Sequence, residues 1–121
     1  MTMLSTNFIL PDPKRGPRRI YETCLMASRG DRQIIRAVSN VQSHPTTKTI
    51  HMSEKPIGML TKFMEMFVDE YSIVLDPTCG SANAIKAAEN RGAAKTLGLE
   101  INPEFYALAR NSYLQSGDAL E

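Results

Sequence analysis

Apolar positions along the 121-residue chain change their spacing several times, and each change predicts an element. Ile73, Val74 and Leu75 form a continuous apolar run that is too short for a helix and is bounded by turn residues. Such a run fits a strand buried on both faces of a parallel sheet, here Ser72 to Asp76. Pro77 ends ladder pairing, and Gly80 permits a close turn before a helical pattern begins at about Asn83. Asn83 to Arg91 reads as a short alanine-rich helix whose small residues allow close approach to a sheet, with Gly92 as its left-handed C-cap. Lys95 to Leu99 reads as a second buried strand ending on Glu100. Asn102 then caps a last helix that starts at Pro103, with Phe105, Leu108, Ala109 and Ser112 on its inner face.

Upstream, Ile57, Leu60, Phe63, Met64 and Phe67 recur at helical spacing behind Pro56. They predict a helix whose stripe, with Met59, Met64 and Met66, is core packing. Arg29-Gly30-Asp31 is turn chemistry between two apolar and polar runs, Arg19 to Ser28 and Gln33 to Val38, which predicts a β-hairpin; a helix over Tyr21 to Ala27 is the competing reading. Ser39 to Ile50 reads as a loop broken by Pro45. Met1 to Pro17 reads as a tail or loop, because Pro11, Pro13, Gly16 and Pro17 exclude regular structure.

The strand, loop, helix, strand and acid order gives this pattern its chemistry. In open α/β sheets ligands rest beyond the carboxyl ends of the strands, where helix N-termini aim free N–H groups. Glu100 lies about twenty residues past the loop, the usual distance of an acid that holds a ribose hydroxyl pair. The loop Cys79-Gly80-Ser81-Ala82 has one glycine where a dinucleotide loop needs three, and no Lys-Ser/Thr pair follows to make a P-loop. A phosphate ligand is therefore disfavoured. S-adenosylmethionine has a ribose and an amino-acid tail without phosphate, and its positive charges suit the Asp76 carboxylate.

These residues also carry a resemblance. His51-Met52-Ser53-Glu54-Lys55-Pro56, then Asp76-Pro77-Thr78-Cys79-Gly80-Ser81-Ala82, then Glu100-Ile101-Asn102-Pro103-Glu104-Phe105 resemble the cofactor-binding half of the DNA N6-adenine and N4-cytosine methyltransferases. The closer likeness is to the group that carries this half at the C-terminal end, and the specific match spans Ile50 to Arg110. It implies an α/β fold, a partial Rossmann-like class I methyltransferase sheet with flanking helices and a β-hairpin. It also implies S-adenosylmethionine held by Ser53, Lys55, Asp76, Pro77, Thr78, Cys79, Gly80, Ala82, Glu100, Ile101 and Asn102. Six of these have structural readings beside the binding one: Ser53 and Lys55 as helix-capping groups, Asn102 as a cap alone, Asp76 and Glu100 as turn formers or partners of a nearby Arg, and Cys79 as a filler of the turn. Thr78 and Ala82 depart from the family's D-P-F-x-G-x-G pattern. The family's catalytic motif, an Asp, Asn or Ser before Pro-Pro and an aromatic residue, occurs nowhere in the 121 residues. No catalytic residue is therefore assigned.

Composition adjusts the picture in three places. A hydrophobic content of 42% with 22% charged residues suits one modest core, and the division expected is a basic, Pro-rich tail over 1–18 and a partial methyltransferase domain over 19–121. No apolar run approaches the ~20 residues of a membrane span and Met1 to Leu10 lacks the order of a signal peptide, so no membrane partner and a cytoplasmic location are expected. Cys24, Cys79, His44 and His51 have no metal-ligand spacing, and Cys79 reads as a small filler of a tight turn.

A further adjustment concerns charge. The net charge of +1 conceals seven basic against three acidic residues between Asp12 and Arg36. Arg15, Arg18, Arg19, Arg29 and Arg32 are DNA-contact candidates through phosphate, or else a solvated basic surface. Without the catalytic strands one edge of the sheet is unpaired, which calls for a homodimer, a companion polypeptide or a relocated hairpin. The readings that follow are the S-adenosylmethionine-binding part of a DNA N-methyltransferase or, as the alternative, an inactive methyltransferase-like module that binds DNA or protein.

Overall fold

A computed structural model describes residues 2–5, 21–45 and 54–115, with the backbone alone for 2–5. In chain order the elements are β1 (Thr2–Ser5), β2 (Tyr21–Thr23), β3 (Val41–His44), α1 (Ile57–Met64), β4 (Ile73–Asp76), α2 (Asn83–Asn90), β5 (Lys95–Gly98) and α3 (Pro103–Gln115). They form a mixed α/β arrangement with two small sheets.

The second sheet follows the expected order. β4 and β5 run parallel with Leu75 opposite Leu97 and Asp76 opposite Gly98, joined through α2 as a βαβ unit. Beyond the ladder, Ala94 N–H donates to Ser72 O (2.9 Å) and Leu99 N–H to Asp76 O (2.8 Å), so the strands stay in register at both ends. α2 packs on both strands and on α1. Ala87 and Ala88 are fully buried, and these small side chains let α2 lie close against its neighbours. Ile85 is buried beside them, a side chain whose transfer out of water stabilises by about 1.5–3 kcal/mol. Arg91 closes the helix, and Gly92 follows at φ +81° in the left-handed conformation expected of it.

α1 begins at Ile57 behind Pro56 as its spacing predicts, but its buried side is narrower than the predicted stripe. Met59 is buried, with Met66 and Val68 just past the helix, whereas Ile57 is exposed and Leu60, Phe63, Met64 and Phe67 are half-buried. The helix stops at Met64, which places Phe67 in the turn that follows. That turn is held by polar groups. Tyr71 N–H (3.0 Å) and the Ser72 hydroxyl (2.9 Å) donate to Asp69 Oδ1, and Asp69 N–H donates to Ser72 Oγ (3.0 Å). On α3, Ala109 is buried and Phe105 and Ser112 are half-buried, while Leu108 is exposed rather than inward.

Four expectations need correction. The strands were expected to be buried on both faces, yet Ile73 (76%), Leu75 (58%), Leu97 (56%) and Leu99 (49%) are exposed. α2 packs on both strands and carries α1 with it, and among the described residues no element makes comparable contact with the opposite face. The hairpin over Arg19 to Val38 does not form. Gly30 turns at φ +73°, but Tyr21–Thr23 pairs with β1 and no strand follows over 33–38. Ile35 N–H donates instead to Met66 O (2.7 Å) and the Arg32 guanidinium to Phe67 O (2.6 Å), so this arm is docked against the turn after α1.

The competing helix over Tyr21 to Ala27 does not form either. Ser39 to Ile50 was expected to be a loop, but Val41–His44 forms β3, parallel to β1. Met1 to Pro17 was expected to lack regular structure, yet Thr2–Ser5 forms β1, the middle strand of the order β2-β1-β3. This segment precedes the prolines and is satisfied by ladders on both sides, which local composition does not reveal.

Asp69 and Glu65 both titrate below their ordinary values. The Ser72 hydroxyl and then the Tyr71 amide stabilise ionised Asp69, and the Lys62 ammonium stabilises ionised Glu65 against the cost of its burial. A lowered native pKa gives stability that is complete above the ordinary carboxylate range and is lost as pH falls through that range to the lowered native values. Urea-unfolding midpoints measured against pH are therefore expected to fall on acidification, and to fall less steeply in the Glu65→Gln/Asp69→Asn variant.

Candidate functional site

The carboxyl ends of β4 and β5 open on a cavity of about 380 Å³, within the range of small-ligand sites. Lys55, Asp76, Thr78, Cys79, Gly80 and Glu100, all expected from the sequence, line it. Glu54, Leu60, Ser81, Asn83 and Ala84 line it as well and were not anticipated. Asp76 and Glu100 therefore face one space.

Backbone geometry explains how. Asp76 ends β4, and its Oδ1 accepts from Thr78 N–H (3.0 Å), which turns the chain around Pro77. Cys79 N–H donates to Leu99 O (2.8 Å), tying the loop to the end of β5. Glu100 completes the clamp. Its Oε2 accepts from Gly80 N–H (3.0 Å) and its Oε1 from Asn102 N–H (2.9 Å). A carboxylate has about four acceptor sites, so two amides leave capacity for a hydroxyl pair.

The opposite wall comes from the segment before α1. The Asn83 side-chain amide donates to Glu54 Oε1 (2.9 Å) and Lys55 O (3.0 Å), which joins the first residue of α2 to that segment. Glu54 is buried, and the Lys55 ammonium pairs with Glu22 of β2. A nearer signal for Glu54 and Asn83 was present in their positions, one between two expected residues and the other opening a helix at the crevice. Three carboxylates and one ammonium line the cavity, so its charge favours a cationic or hydroxyl-rich ligand over a phosphate.

Cys79 is structural. Its Sγ lies 2.9 Å from where a Cβ on Gly98 would stand, so the thiol occupies the space that glycine leaves. Burial first, then the charges of Asp76 and Glu100, push its pKa up and keep the thiol protonated. Cys79 and Glu100 also border a second, largely apolar cavity of about 190 Å³, where Ala82 lies with Ile85, Tyr106, Arg110 and Tyr113.

Other expected residues fall elsewhere. Pro77 shapes the turn, Ile101 is exposed, and neither borders the larger cavity. Asn102 is a helix cap, its Oδ1 accepting from Glu104 N–H (2.9 Å) and Phe105 N–H (3.3 Å). Ser53, Arg15, Arg18 and Arg19 lie outside the described residues. Arg29 is exposed, while Arg32 holds the carbonyl of Phe67.

A family described as DNA methylase, N6_N4_Mtase, matches residues 14–111. The structure is similar to that of the M1.HpyAVI–SAM complex, with a TM-score of 0.65 at 17% identity, covering 92% of this chain and 59% of that one. It is similar also to M1.HpyAVI by itself, with a TM-score of 0.60 at 17% identity, covering 92% of this chain and 56% of that one. The chain thus spans under three fifths of the length of these neighbours. No curated protein matches the sequence.

Ala82 has φ +65°, a left-handed conformation in which a side chain costs about 1–2 kcal/mol. It also stands where the resembled pattern has glycine. Glycine relieves that cost but gains freedom in the unfolded chain, so Ala82→Gly is expected to stabilise by about 0.5–1 kcal/mol. Urea unfolding checks this, and Ala82→Val should move the midpoint the other way.

Proposed function

The chain belongs to the DNA methylase family, and we propose that it is the S-adenosylmethionine-holding part of a DNA N-methyltransferase acting on an exocyclic amine of adenine or cytosine. The observation that carries this is the convergence of Asp76 and Glu100 on one cavity with a net negative lining. In this reading Glu100 takes the ribose hydroxyls on its remaining acceptor sites, and Asp76 and Glu54 attract the cationic groups. Thr78 to Ser81 line the cavity, and Gly80, at φ +50°, leaves no side chain there, so this backbone would hold a bound cofactor.

The bound cofactor supplies an electrophilic methyl group; this chain's residues bind it, orient it and limit its contact with water. The groups that grip a base turned out of the duplex belong to the motif missing from these residues. They lie outside these 121 residues, and strands that carry them would pair along the edge of β4 that is open among the described residues. DNA is the partner, met through phosphate by the basic residues between Asp12 and Arg36. Arg29 and Arg32 are the described candidates and both are exposed, with Arg32 also donating to the Phe67 carbonyl. The inactive-module alternative draws on Thr78 and on the strained Ala82.

Titration calorimetry with S-adenosylmethionine separates the two. Binding is expected, and Glu100→Gln should weaken it by roughly ten- to a hundredfold, as loss of hydrogen bonds to a charged acceptor does. Asp76→Asn keeps the Thr78 turn and should weaken binding less. A folded protein that gives no binding at millimolar ligand would sink the proposal. Labelled-donor turnover on duplex DNA is expected to show no incorporation by this polypeptide alone.

A further inference from the structure

An asparagine at the start of a helix ordinarily serves that helix, its side-chain oxygen accepting a nearby backbone N–H. Asn83 opens α2, and Ala82 before it makes no side-chain cap bond, yet the Asn83 amide turns away from its own helix. It donates to Glu54 Oε1 (2.9 Å) and to Lys55 O (3.0 Å), which lie 29 and 28 positions earlier in the chain. Both partners are acceptors, so both protons of the amide are engaged and its orientation is fixed.

The two bonds hold a side chain and the neighbouring backbone at once. Glu54 is buried, where an ionised carboxylate needs donors, and it borders the larger cavity together with Asn83. The acids at the strand ends take their positions from the loop: Asp76 Oδ1 accepts from Thr78 N–H, and the two Glu100 oxygens accept from Gly80 and Asn102. Glu54 is held instead by a side chain, which one substitution removes.

We propose that Asn83 is a positioning residue of the cavity: acting through Glu54, it sets the wall that meets the cationic amino-acid end of the ligand. This rests on the reading of the cavity as the S-adenosylmethionine site. Without the Asn83 amide, the Glu54 carboxylate loses the donor that aims it and the Lys55 carbonyl loses its tie to α2. The adenosine end, at Glu100, keeps its contacts.

Titration calorimetry of the full chain with three ligands is the test. S-adenosylmethionine carries the sulfonium and the amino-acid end, S-adenosylhomocysteine keeps only the amino-acid end, and methylthioadenosine lacks both. Asn83→Ala is expected to weaken the first two by roughly tenfold and to leave the third within about twofold. Glu54→Gln should reproduce that pattern, and adding Asn83→Ala to it should cost little more, because one residue acts through the other. Equal loss for all three ligands, loss confined to S-adenosylmethionine, no loss at all, or additive losses in the double variant would each overturn the proposal while leaving the cofactor reading in place. A wild type that binds none of the three overturns both. If Asn83→Ala does not fold, nuclear magnetic resonance of the wild-type Asn83 side-chain amide decides. A signal that moves with S-adenosylhomocysteine and not with methylthioadenosine supports the proposal, and one that ignores both, or answers both alike, refutes it.

Discussion

One carboxylate organises the ligand-facing end of this molecule. Glu100 leaves β5 and accepts the amide of Gly80 from the loop after β4 and the amide of Asn102 from the entry to α3. Hydrogen bonds to a charged acceptor are among the stronger ones, about 1.5–3 kcal/mol each, so three successive elements are held by a single side chain. Asp76 and Cys79 add to that arrangement: the Asp76 turn presents the loop, and Cys79 N–H on Leu99 O together with the thiol beside Gly98 closes the loop over β5.

A second constraint is the thinness of the core. Its fully buried members are small, Ala87 and Ala88, and the larger buried chains, Met59, Met66, Val68 and Ile85, sit on one side of a two-stranded sheet. Polar links supplement them. Asn83 joins α2 to the segment before α1, Arg32 and Ile35 dock on the turn after α1, and Ser72 with Asp69 locks the entry to β4. The Asn83 link also builds one wall of the cavity. The same economy explains why aliphatic rows remain on the far face.

Legibility in the sequence followed the range of the interactions. β4, α2, β5 and the start of α3 were readable because short-range chemistry defines them: an apolar run, a proline, Gly92 after a helix and Asn102 before one. The convergence of Asp76 and Glu100 was readable because the βαβ unit imposes it. β1 and β3 were not, since Thr2–Ser5 and Val41–His44 are strands through pairing across a long separation. The hairpin failed for a related reason. Gly30 does turn, but the second arm finds the carbonyls of Met66 and Phe67 rather than Thr23. Periodicity also could not tell a strand covered twice from one covered once, and Glu54 and Asn83 entered the site through contacts between distant segments.

The account stands on Glu100 having both a structural and a ligand-facing role, and crystallographic analysis of the chain grown with S-adenosylmethionine tests this most directly. The account predicts ribose hydroxyls within hydrogen-bonding distance of the Glu100 carboxylate, with the Gly80 and Asn102 amides still in place. A cofactor bound away from Glu100, or one that enters only after the Gly80 amide has left it, would contradict the account.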